Sequence, residues 1–162
     1  MNLIVAVDTE WGIGCGGQLL ANIPGDLKYF KETTMDKVVV MGRKTLESLP
    51  GKKGLPKREN YVLTGNPDFE AERCHVVHCE EELEDALKEY NSEDVFIIGG
   101  ESIYRKFYEK CDKLYVTKMH ASLGADRFMV NLDEDSRFRI TWESPLQNEN
   151  GIEYQFVLYE RS

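Results

Sequence analysis

The sequence lacks several features that membrane, secreted and nucleic-acid-binding proteins usually carry. No apolar run among its 162 residues approaches the ~20 residues that span a bilayer, which argues against a transmembrane helix. Residues 1–8 have no basic region ahead of their apolar residues, so we predict no secretory signal and expect a cytoplasmic location. The net charge of −9 disfavours nucleic acid and anionic membranes as partners.

Cysteine is sparse and irregularly placed. Cys15, Cys74, Cys79 and Cys111 show no framework spacing, which indicates free thiols in a reducing compartment. The run Cys74-His75-Val76-Val77-His78-Cys79 contains four metal-binding side-chain types. Because side chains alternate between the faces of a strand, one strand cannot place all four around a tetrahedral ion. We therefore predict no metal site.

The hydrophobic pattern predicts an α/β fold. Helical patterns fall at about 24–34, 43–49, 80–90 and 101–109, between strand-like runs at about 2–8, 37–42, 60–64, 74–78, 94–98, 113–119, 137–143 and 153–160. This alternation indicates a largely parallel sheet covered on both faces. Only the turn-rich residues 147–151 separate the last two strands, which predicts a C-terminal antiparallel hairpin. With no linker or repeat, we expect a single domain over 1–162, with about four helices flanking a mixed sheet of about eight strands.

The first predicted helix carries a carboxylate on its apolar face. Residues three and four apart share a helix face, so Asp26 points the same way as Phe30, with Ile23 and Leu27 alongside. A carboxylate on a buried stripe is costly unless it is paired. Asp26 is therefore a candidate for binding a cationic or amidine-like ligand. The alternative is an ordinary first-turn acid that interacts with the helix dipole.

Two glycine sites follow predicted strands and precede predicted helices. One is Gly42, followed by Arg43, and the other is the pair Gly99–Gly100. Each is suited to a phosphate, because a helix N-terminus offers N–H donors, although each alone is also typical of a tight turn. Between residues 43 and 58 there are six basic residues and one acidic residue. Together these features predict a long cofactor with several phosphates.

A third glycine run, residues 12–17, fits the dinucleotide pattern G-x-G-x-x-G but lacks its context. Pro24 lies where the following helix should still be running, and the next strand ends in Arg43 rather than in an acid. We interpret residues 10–22 as a glycine-rich loop that can close over a ligand.

Taken in order, these segments resemble the dihydrofolate reductase family across essentially the whole chain. Each segment is weak alone, but their order and spacing are specific: Val5–Asp8, Gly12–Gly14, Ile23–Lys31, Thr33–Met35, Val40–Thr45, Glu47–Leu49, Leu55–Arg58, Ile97–Gly100, Ile103–Tyr104 and Leu114–Thr117. The resemblance implies a cytoplasmic, monomeric, NADPH-dependent oxidoreductase of one-carbon metabolism that antifolates target. Such an enzyme makes tetrahydrofolate from 7,8-dihydrofolate by hydride transfer to C6 and protonation at N5. No nucleic acid or membrane partner is implied.

The resemblance also implies a substrate pocket with one ionisable side chain. Asp26 would accept hydrogen bonds from the 2-amino group and N3 of the pterin, and burial would raise its pKa and help it support protonation of N5. Thr117 would hydrogen-bond Asp26, and Arg58 would bind the α-carboxylate of the glutamate tail. The remaining implied pocket residues are Ile4, Val5, Ala6, Leu27, Phe30, Leu49 and Ile98.

The implied cofactor is NADPH. Its nicotinamide end would meet Ala6, Ile13, Gly14 and the ring of Tyr104. Its phosphates would be held by two groups of residues, namely Gly42, Arg43, Lys44 and Thr45, and Gly99, Gly100, Glu101 and Ser102. Further implied contacts are Leu63, Thr64, His78, Ile98 and Ile103.

The chain departs from the family pattern at three places. Leu20-Ala21 stands where Pro-Trp is usual, which bears on the water near the pterin and on loop closure. Thr64-Gly65-Asn66 has no cation for the 2′-phosphate, leaving that role to Arg43 and His78. Gly124-Ala125-Asp126 replaces Gly-Asp-Thr, which bears on the loop contacts.

Two alternatives stay open at the level of the sequence. A riboflavin-pathway reductase would share the fold and NADPH, but it would have no use for an acid at Asp26. A catalytically silent module would bind NADPH or folate without turnover.

Overall fold

A computed structural model describes all 162 residues and shows four helices beside a large mixed sheet. The helices are α1 (Pro24–Thr34), α2 (Arg43–Ser48), α3 (Glu80–Leu87) and α4 (Glu101–Phe107). The strands are β1 (Asn2–Val7), β2 (Gly12–Gly14), β3 (Val38–Gly42), β4 (Glu59–Leu63), β5 (Cys74–Val77), β6 (Val95–Gly99), β7 (Lys113–Met119), β8 (Arg127–Phe128), β9 (Phe138–Glu143), β10 (Gln147–Glu149) and β11 (Ile152–Arg161). No helix has the length and apolar character needed to cross a bilayer.

The large sheet has the order β10-β11-β7-β1-β6-β3-β4-β5, and β9 also pairs with β11. From β7 to β5 all neighbouring strands are parallel, whereas β11 is antiparallel to β7, β9 and β10. All eight predicted strands lie in this sheet, and the predicted antiparallel pairing of the last two is present as β9 with β11. The predicted α/β fold with a mixed sheet is confirmed.

Two local predictions were wrong, and one strand pair was missed. Residues 147–149 form strand β10 rather than a turn, because their backbone pairs with β11; the turn is confined to Asn150-Gly151, which both have positive φ, as a tight hairpin requires. The short strands β2 and β8 form a separate antiparallel pair that was not predicted. Helix α3 ends at Leu87 rather than at residue 90.

The sheet separates two apolar layers, and β1 contributes to both because successive side chains alternate. Leu3, Val5 and Val7 belong to a core cluster of 22 buried residues that also contains residues of α3 and α4. Ile4 belongs to the cluster on the opposite face, against which Phe30 of α1 packs. Helices α1 and α2 therefore lie on one face of the sheet, and α3 and α4 lie on the other.

Candidate active site

Asp26 lies in the first turn of α1 and is joined to the sheet by one hydrogen bond. Thr117 of β7, itself buried, donates from Oγ1 to Asp26 Oδ1 over 2.6 Å. Burial raises the pKa of Asp26, and the bond from Thr117 opposes that rise because it stabilises the ionised form. The molecule has no buried side-chain nitrogen or oxygen without a partner. A carboxylate held in this way is poised to exchange a proton or bind a hydrogen-bond donor.

Apolar side chains surround this carboxylate in a cleft between β1, β7 and the loop before α1. The cleft is lined by Ala6, Ile13, Leu19, Leu20, Ala21, Ile23, Asp26, Leu27 and Met119. Asp26 is the only titratable residue among them. Leu27 lies beside Asp26 in this cleft, and the residue is 47% exposed. The reason is that Leu27 forms an open wall of the cleft, which an apolar ligand would cover.

Further into the same face of the sheet lies a second group of predicted pocket residues. Ile4 and Ile98 are buried in one core cluster, and Phe30 and Leu49 pack against it. Val5 does not join them: its side chain lies on the other face of β1, in the cluster with α3 and α4. Four of the predicted wall residues are therefore brought together, and Val5 can contribute only through its backbone.

Arg58 lies at the end of this face, held by three hydrogen bonds. Its Nε donates to Thr34 Oγ1 over 2.9 Å, its Nη1 to the carbonyl oxygen of Pro56 over 2.8 Å, and its Nη2 to that of Lys31 over 3.3 Å. Partial burial lowers its pKa, yet a guanidinium remains charged. Because a guanidinium has five N–H groups, two remain for an anionic ligand.

The two glycine sites lie side by side. Strands β3 and β6 are parallel neighbours with Met41 opposite Gly99, so both strands end at the same edge. A Cβ at Gly99 or Gly100 would lie 3.3 Å from Thr45 Oγ1, and one at Gly42 would lie 3.1 Å from Ile103 Cγ1. Gly99 also has a φ of 132°, which residues with a side chain rarely adopt, and the Gly99–Gly100 peptide bond is cis. The backbone here forms a cradle that side chains would fill.

The charged residues next to this cradle differ in whether their side chains already have a partner in the protein. Arg43 pairs with Glu47 over 3.4 Å, whereas Lys44 is exposed and makes no ion pair. Glu101 is engaged elsewhere, because its Oε2 accepts a 2.7 Å bond from the backbone N–H of Phe128 in β8. Ser102 is exposed. The cradle thus presents a positive balance to a ligand.

Tyr104 of α4 is buried beneath the cradle. Its hydroxyl lies 2.8 Å from the carbonyl oxygen of Ile4 and 2.9 Å from that of Ile98, so it joins the middle of β1 to the end of β6. Burial raises its pKa, which keeps the phenol neutral. This contact of the hydroxyl was not predicted from the sequence.

Thr64 and His78 meet where β4 and β5 end. His78 Nδ1 lies 3.0 Å from the carbonyl oxygen of Thr64, and the imidazole is exposed. Leu63, at the end of β4, packs partly buried against the larger core cluster. Strand β4 lies between β5, which His78 follows, and β3, which ends at the glycine cradle.

The loop between β2 and α1 is tied to the rest of the molecule near both of its ends. Near its start, Asp126 donates from its backbone N–H to Gly14 and accepts from the N–H of Gly16 over 3.1 Å. Near its end, Asn150 Nδ2 donates to the carbonyl oxygen of Asn22 over 3.0 Å. The changed residues at 124–126 therefore still place a carboxylate against the loop. No helix begins directly after Gly14, which agrees with the rejection of a dinucleotide motif there.

Helix α1 has a second attachment that the sequence did not reveal. Glu149 of β10 accepts from the backbone N–H of Gly25, with Oε1 at 3.0 Å and Oε2 at 3.3 Å, and Tyr154 donates to the same Oε1 over 2.6 Å. The only local signal was a glycine in the first turn of a helix. A Cβ at Gly25 would lie 2.3 Å from Glu149 Oε1.

A cavity of about 210 Å³ shares only Met119 with the cleft that holds Asp26. It is lined by Val7, Asp8, Thr9, Trp11, Lys118, Met119, His120 and Asp133. Its carboxylates are already engaged: Asp8 accepts from three backbone N–H groups, and Asp133 accepts from Lys118 and Tyr159. The cavity offers no unused charge and contains no predicted site residue.

Cysteine and histidine form no metal centre. All four cysteines are free thiols, and Cys111 is buried with its pKa raised by that burial to about 12. No group of three or more His, Cys, Asp or Glu side chains is arranged to hold a metal ion.

Comparison with known proteins identifies the fold and its relatives. The family model described as dihydrofolate reductase matches residues 1–161. The dihydrofolate reductase of Bacillus subtilis (strain 168) is 35% identical over 162 residues, covering 99% of this chain and 94% of that protein. That of Staphylococcus haemolyticus is 36% identical over 163 residues, covering 99% and 95%. Among solved structures, dihydrofolate reductase from Enterococcus faecalis complexed with NADP(H) and RAB-propyl superposes with a TM-score of 0.89 at 33% identity, covering 99% of this chain and 95% of that one.

Proposed function

The chain belongs to the dihydrofolate reductase family, and from that premise we propose that it reduces 7,8-dihydrofolate to 5,6,7,8-tetrahydrofolate with NADPH. The observation that carries the proposal is the Asp26 carboxylate, hydrogen-bonded by Thr117 in an otherwise apolar cleft. A folate-reducing site needs an acid at this point, whereas a reductase acting on a phosphorylated pyrimidine has no use for one.

Substrate binding rests on three parts of the described cleft. Asp26 accepts hydrogen bonds from the 2-amino group and N3 of the pterin, a bidentate and charge-assisted pairing. Ile4, Phe30, Leu49 and Ile98 supply the apolar wall, and Leu27 covers the ring from the open side. The two unused N–H groups of Arg58 bind the α-carboxylate of the glutamate tail. Antifolates with a diaminopyrimidine edge compete by pairing with the same carboxylate.

The residues present fit NADPH. The cradle made by Gly42, Gly99 and Gly100 leaves space that side chains would fill, and Thr45 lies directly against it. Arg43, Lys44 and Ser102 add charge and hydrogen-bond donors for phosphates. Ala6, Ile13 and Gly14 line the nicotinamide end, next to the cleft that holds Asp26.

In this reaction NADPH supplies the hydride that C6 of the substrate receives. The protein contributes alignment, exclusion of water and control of a proton. Thr117 fixes the direction of the Asp26 carboxylate, and burial raises the pKa of that group so that it supports protonation at N5 near neutral pH. The loop that Asp126 and Asn150 tie down closes the cleft against solvent.

Selection of NADPH over NADH falls to Arg43 and His78. Both are exposed, Arg43 after β3 and His78 after β5, two strands that both pair with β4, and neither Thr64 nor Gly65 offers a cation. Arg43 is the stronger contributor, because its guanidinium is always charged and can bind a phosphate through two N–H groups.

We further propose that residues 1–162 form one domain, active as a monomer in the cytoplasm. Eight of the eleven strands continue one path through a single sheet, and one chain carries every proposed site residue. Four free thiols suit a reducing compartment, and the net charge of −9 disfavours nucleic acid as a partner.

The decisive experiment is NADPH oxidation by the purified protein with dihydrofolate, run beside NADH and beside the variant Asp26→Asn. We expect turnover with NADPH to exceed turnover with NADH, and the variant to lose about a hundredfold or more near neutral pH while still binding NADPH. Saturable NADPH binding without turnover would identify a silent binding module. Unchanged turnover in the variant would remove Asp26 from the mechanism.

A further inference from the structure

We propose that Glu149 is a positioning residue for Asp26: by accepting the N–H of Gly25 from a distant hairpin, it fixes the first turn of α1 and hence the direction of the carboxylate. This inference rests on the proposed function, because it concerns how the acid of that site is held. It adds a residue that lies outside the substrate and cofactor pockets.

The first turn of α1 has one backbone donor that the helix itself cannot satisfy. Pro24 has no N–H, and the N–H groups of Asp26 and Leu27 both bond to the carbonyl oxygen of Ile23. Ile23, at the N-cap position, has no side chain that can cap the helix. The N–H of Gly25 is left, and it points to Glu149.

Glu149 is held in turn by a buried tyrosine. Tyr154 is fully buried, and its hydroxyl donates to Glu149 Oε1 over 2.6 Å and lies 3.3 Å from Gln147 Oε1. The carboxylate also raises the pKa of Tyr154, second to burial, to about 12. The acceptor is therefore fixed by the sheet rather than free to follow the helix.

A second contact, between two aromatic rings, also attaches α1 to the sheet. Tyr29, three residues after Asp26, stacks on Phe156 of β11 with ring centroids 4.0 Å apart and planes 12° apart, and Phe156 packs edge-on against Tyr154. The capping bond to Gly25 and this stack lie on either side of Asp26. The packing of Ile23 and the bond from Asn150 to Asn22 hold the chain that enters the helix, but only Glu149 bonds to the backbone of the first turn itself. Without the capping bond, the first turn loses this fixed point, and the 2.6 Å bond from Thr117 no longer sets the carboxylate direction alone.

The absence of a side chain at residue 25 fits this role. A Cβ there would lie 2.3 Å from Glu149 Oε1 and 2.4 Å from the Tyr154 hydroxyl. Glycine is a weaker helix former than alanine. A glycine in the first turn of α1 is therefore explained by the close approach of Glu149 and Tyr154.

The test compares Glu149→Ala with Glu149→Gln. Both variants remove the charge, but Gln keeps an oxygen that can accept from Gly25 and Tyr154. The control is Glu153→Ala, which removes an exposed carboxylate from the same hairpin. For each variant, kcat and KM for dihydrofolate are measured together with the Kd values of NADPH and of a 2,4-diaminopyrimidine.

For Glu149→Ala we expect kcat/KM to fall about fivefold and the diaminopyrimidine Kd to rise by a similar factor. The Kd of NADPH should stay within about twofold, and Glu149→Gln and Glu153→Ala should resemble the wild type. In the Thr117→Val background, where Asp26 has already lost its orienting bond, Glu149→Ala should cost less than in the wild type.

Four results would overturn the proposal: a wild-type-like Glu149→Ala, equal losses in both Glu149 variants, a matching loss of NADPH affinity, or effects that multiply with Thr117→Val. If Glu149→Ala does not fold, Tyr154→Phe replaces it, with a smaller loss of the same pattern expected. A wild-type chain that binds both ligands without oxidising NADPH contradicts the proposed function instead, and the diaminopyrimidine Kd values still decide the role of Glu149.

Discussion

Thr117 on β7 donates a 2.6 Å hydrogen bond to Asp26 on α1, although 91 residues separate them in the chain. The bond joins the helix that carries the acid to the centre of the sheet. It also acts against the effect of burial on the pKa of that acid. Two opposing influences therefore set the protonation of Asp26, and each can be altered alone.

Replacing Thr117 by Val removes the bond while keeping the shape of the side chain. The ionised form of Asp26 then loses a stabilising donor, so its pKa should rise and the pH–rate profile should move to higher pH. We also expect about a tenfold loss of turnover at neutral pH, because the carboxylate loses its orientation. Thr141→Val, on the exposed face of β9, serves as the control; a profile that does not move would contradict the assignment.

Asp26→Asn should stabilise the free protein at neutral pH while destroying its activity. Burial raises the pKa of Asp26 in the folded state, so the folded protein is stabilised when this carboxyl is protonated. This contribution to the free energy of unfolding is fully present below the ordinary aspartate pKa and is lost as pH rises through the folded pKa. As pH rises, the wild type therefore gains a buried charge that the amide lacks. Urea unfolding at pH 3.5 and pH 7 should show the advantage of the variant only at the higher pH, in contrast to the exposed control Asp68→Asn.

Arg58→Leu should weaken substrate binding and leave the chemical step intact. The guanidinium lies at the end of the cleft, away from Asp26, with two N–H groups unused. Loss of a charge-assisted pairing predicts an increase of about tenfold or more in KM for dihydrofolate, with kcat nearly unchanged. Steady-state kinetics beside Lys57→Leu would test this, and an unaltered KM would refute the role.

Arg43→Gln should reduce the preference for NADPH. The variant removes the permanent charge next to the glycine cradle, so we expect kcat/KM with NADPH to fall about tenfold and the value with NADH to change little. Lys52→Gln removes a charge from the same basic segment without adjoining the cradle and is the matched control. Equal losses with both cofactors would assign Arg43 to the shared phosphates instead.

Asp126→Ala should loosen the loop that precedes α1. Its carboxylate accepts from the N–H of Gly16, and without it that amide loses its partner. Hydrogen exchange at Gly16 should become faster, and turnover should fall about threefold because the cleft is less often closed. Glu134→Ala, an exposed acid in a neighbouring segment, should change neither; slow exchange at Gly16 in Asp126→Ala would show that other contacts hold the loop.

The strands were predictable where the sequence supplied continuous β-branched runs. Val38–Met41 and Phe96–Ile98 are buried on both faces, and such runs have few alternatives to a parallel sheet. Strand β10, with the sequence Gln-Asn-Glu, has turn-like composition and becomes a strand only through pairing with β11. Strands β2 and β8 have three and two residues, too few for any periodic signal.

The site residues were likewise predictable only in part. Asp26 stood out from local pattern, because a carboxylate on an apolar helix face is unusual. Thr117 and Arg58 were recognised only through the family, since a threonine on a strand and an arginine in a loop are common. Glu149 was missed, because it contacts backbone more than 100 residues away and nothing in the local sequence indicates that partner. Asp126 was linked to the loop only through its departure from the family pattern, and its partner Gly16 was not predicted.

The long sequence separations within the cleft have a kinetic consequence. The bonds of α1 to Thr117 and Glu149 close chain segments of 91 and 124 residues, and closing such segments costs entropy before the contacts can repay it. The cleft should therefore be among the last regions to form when the chain refolds, after the local strand pairs of β3 with β4 and β9 with β11. Ligand-binding competence would then return later than these local strand pairs, together with the pairing of β1 with β7, in which Asn2 lies opposite the distant Lys113.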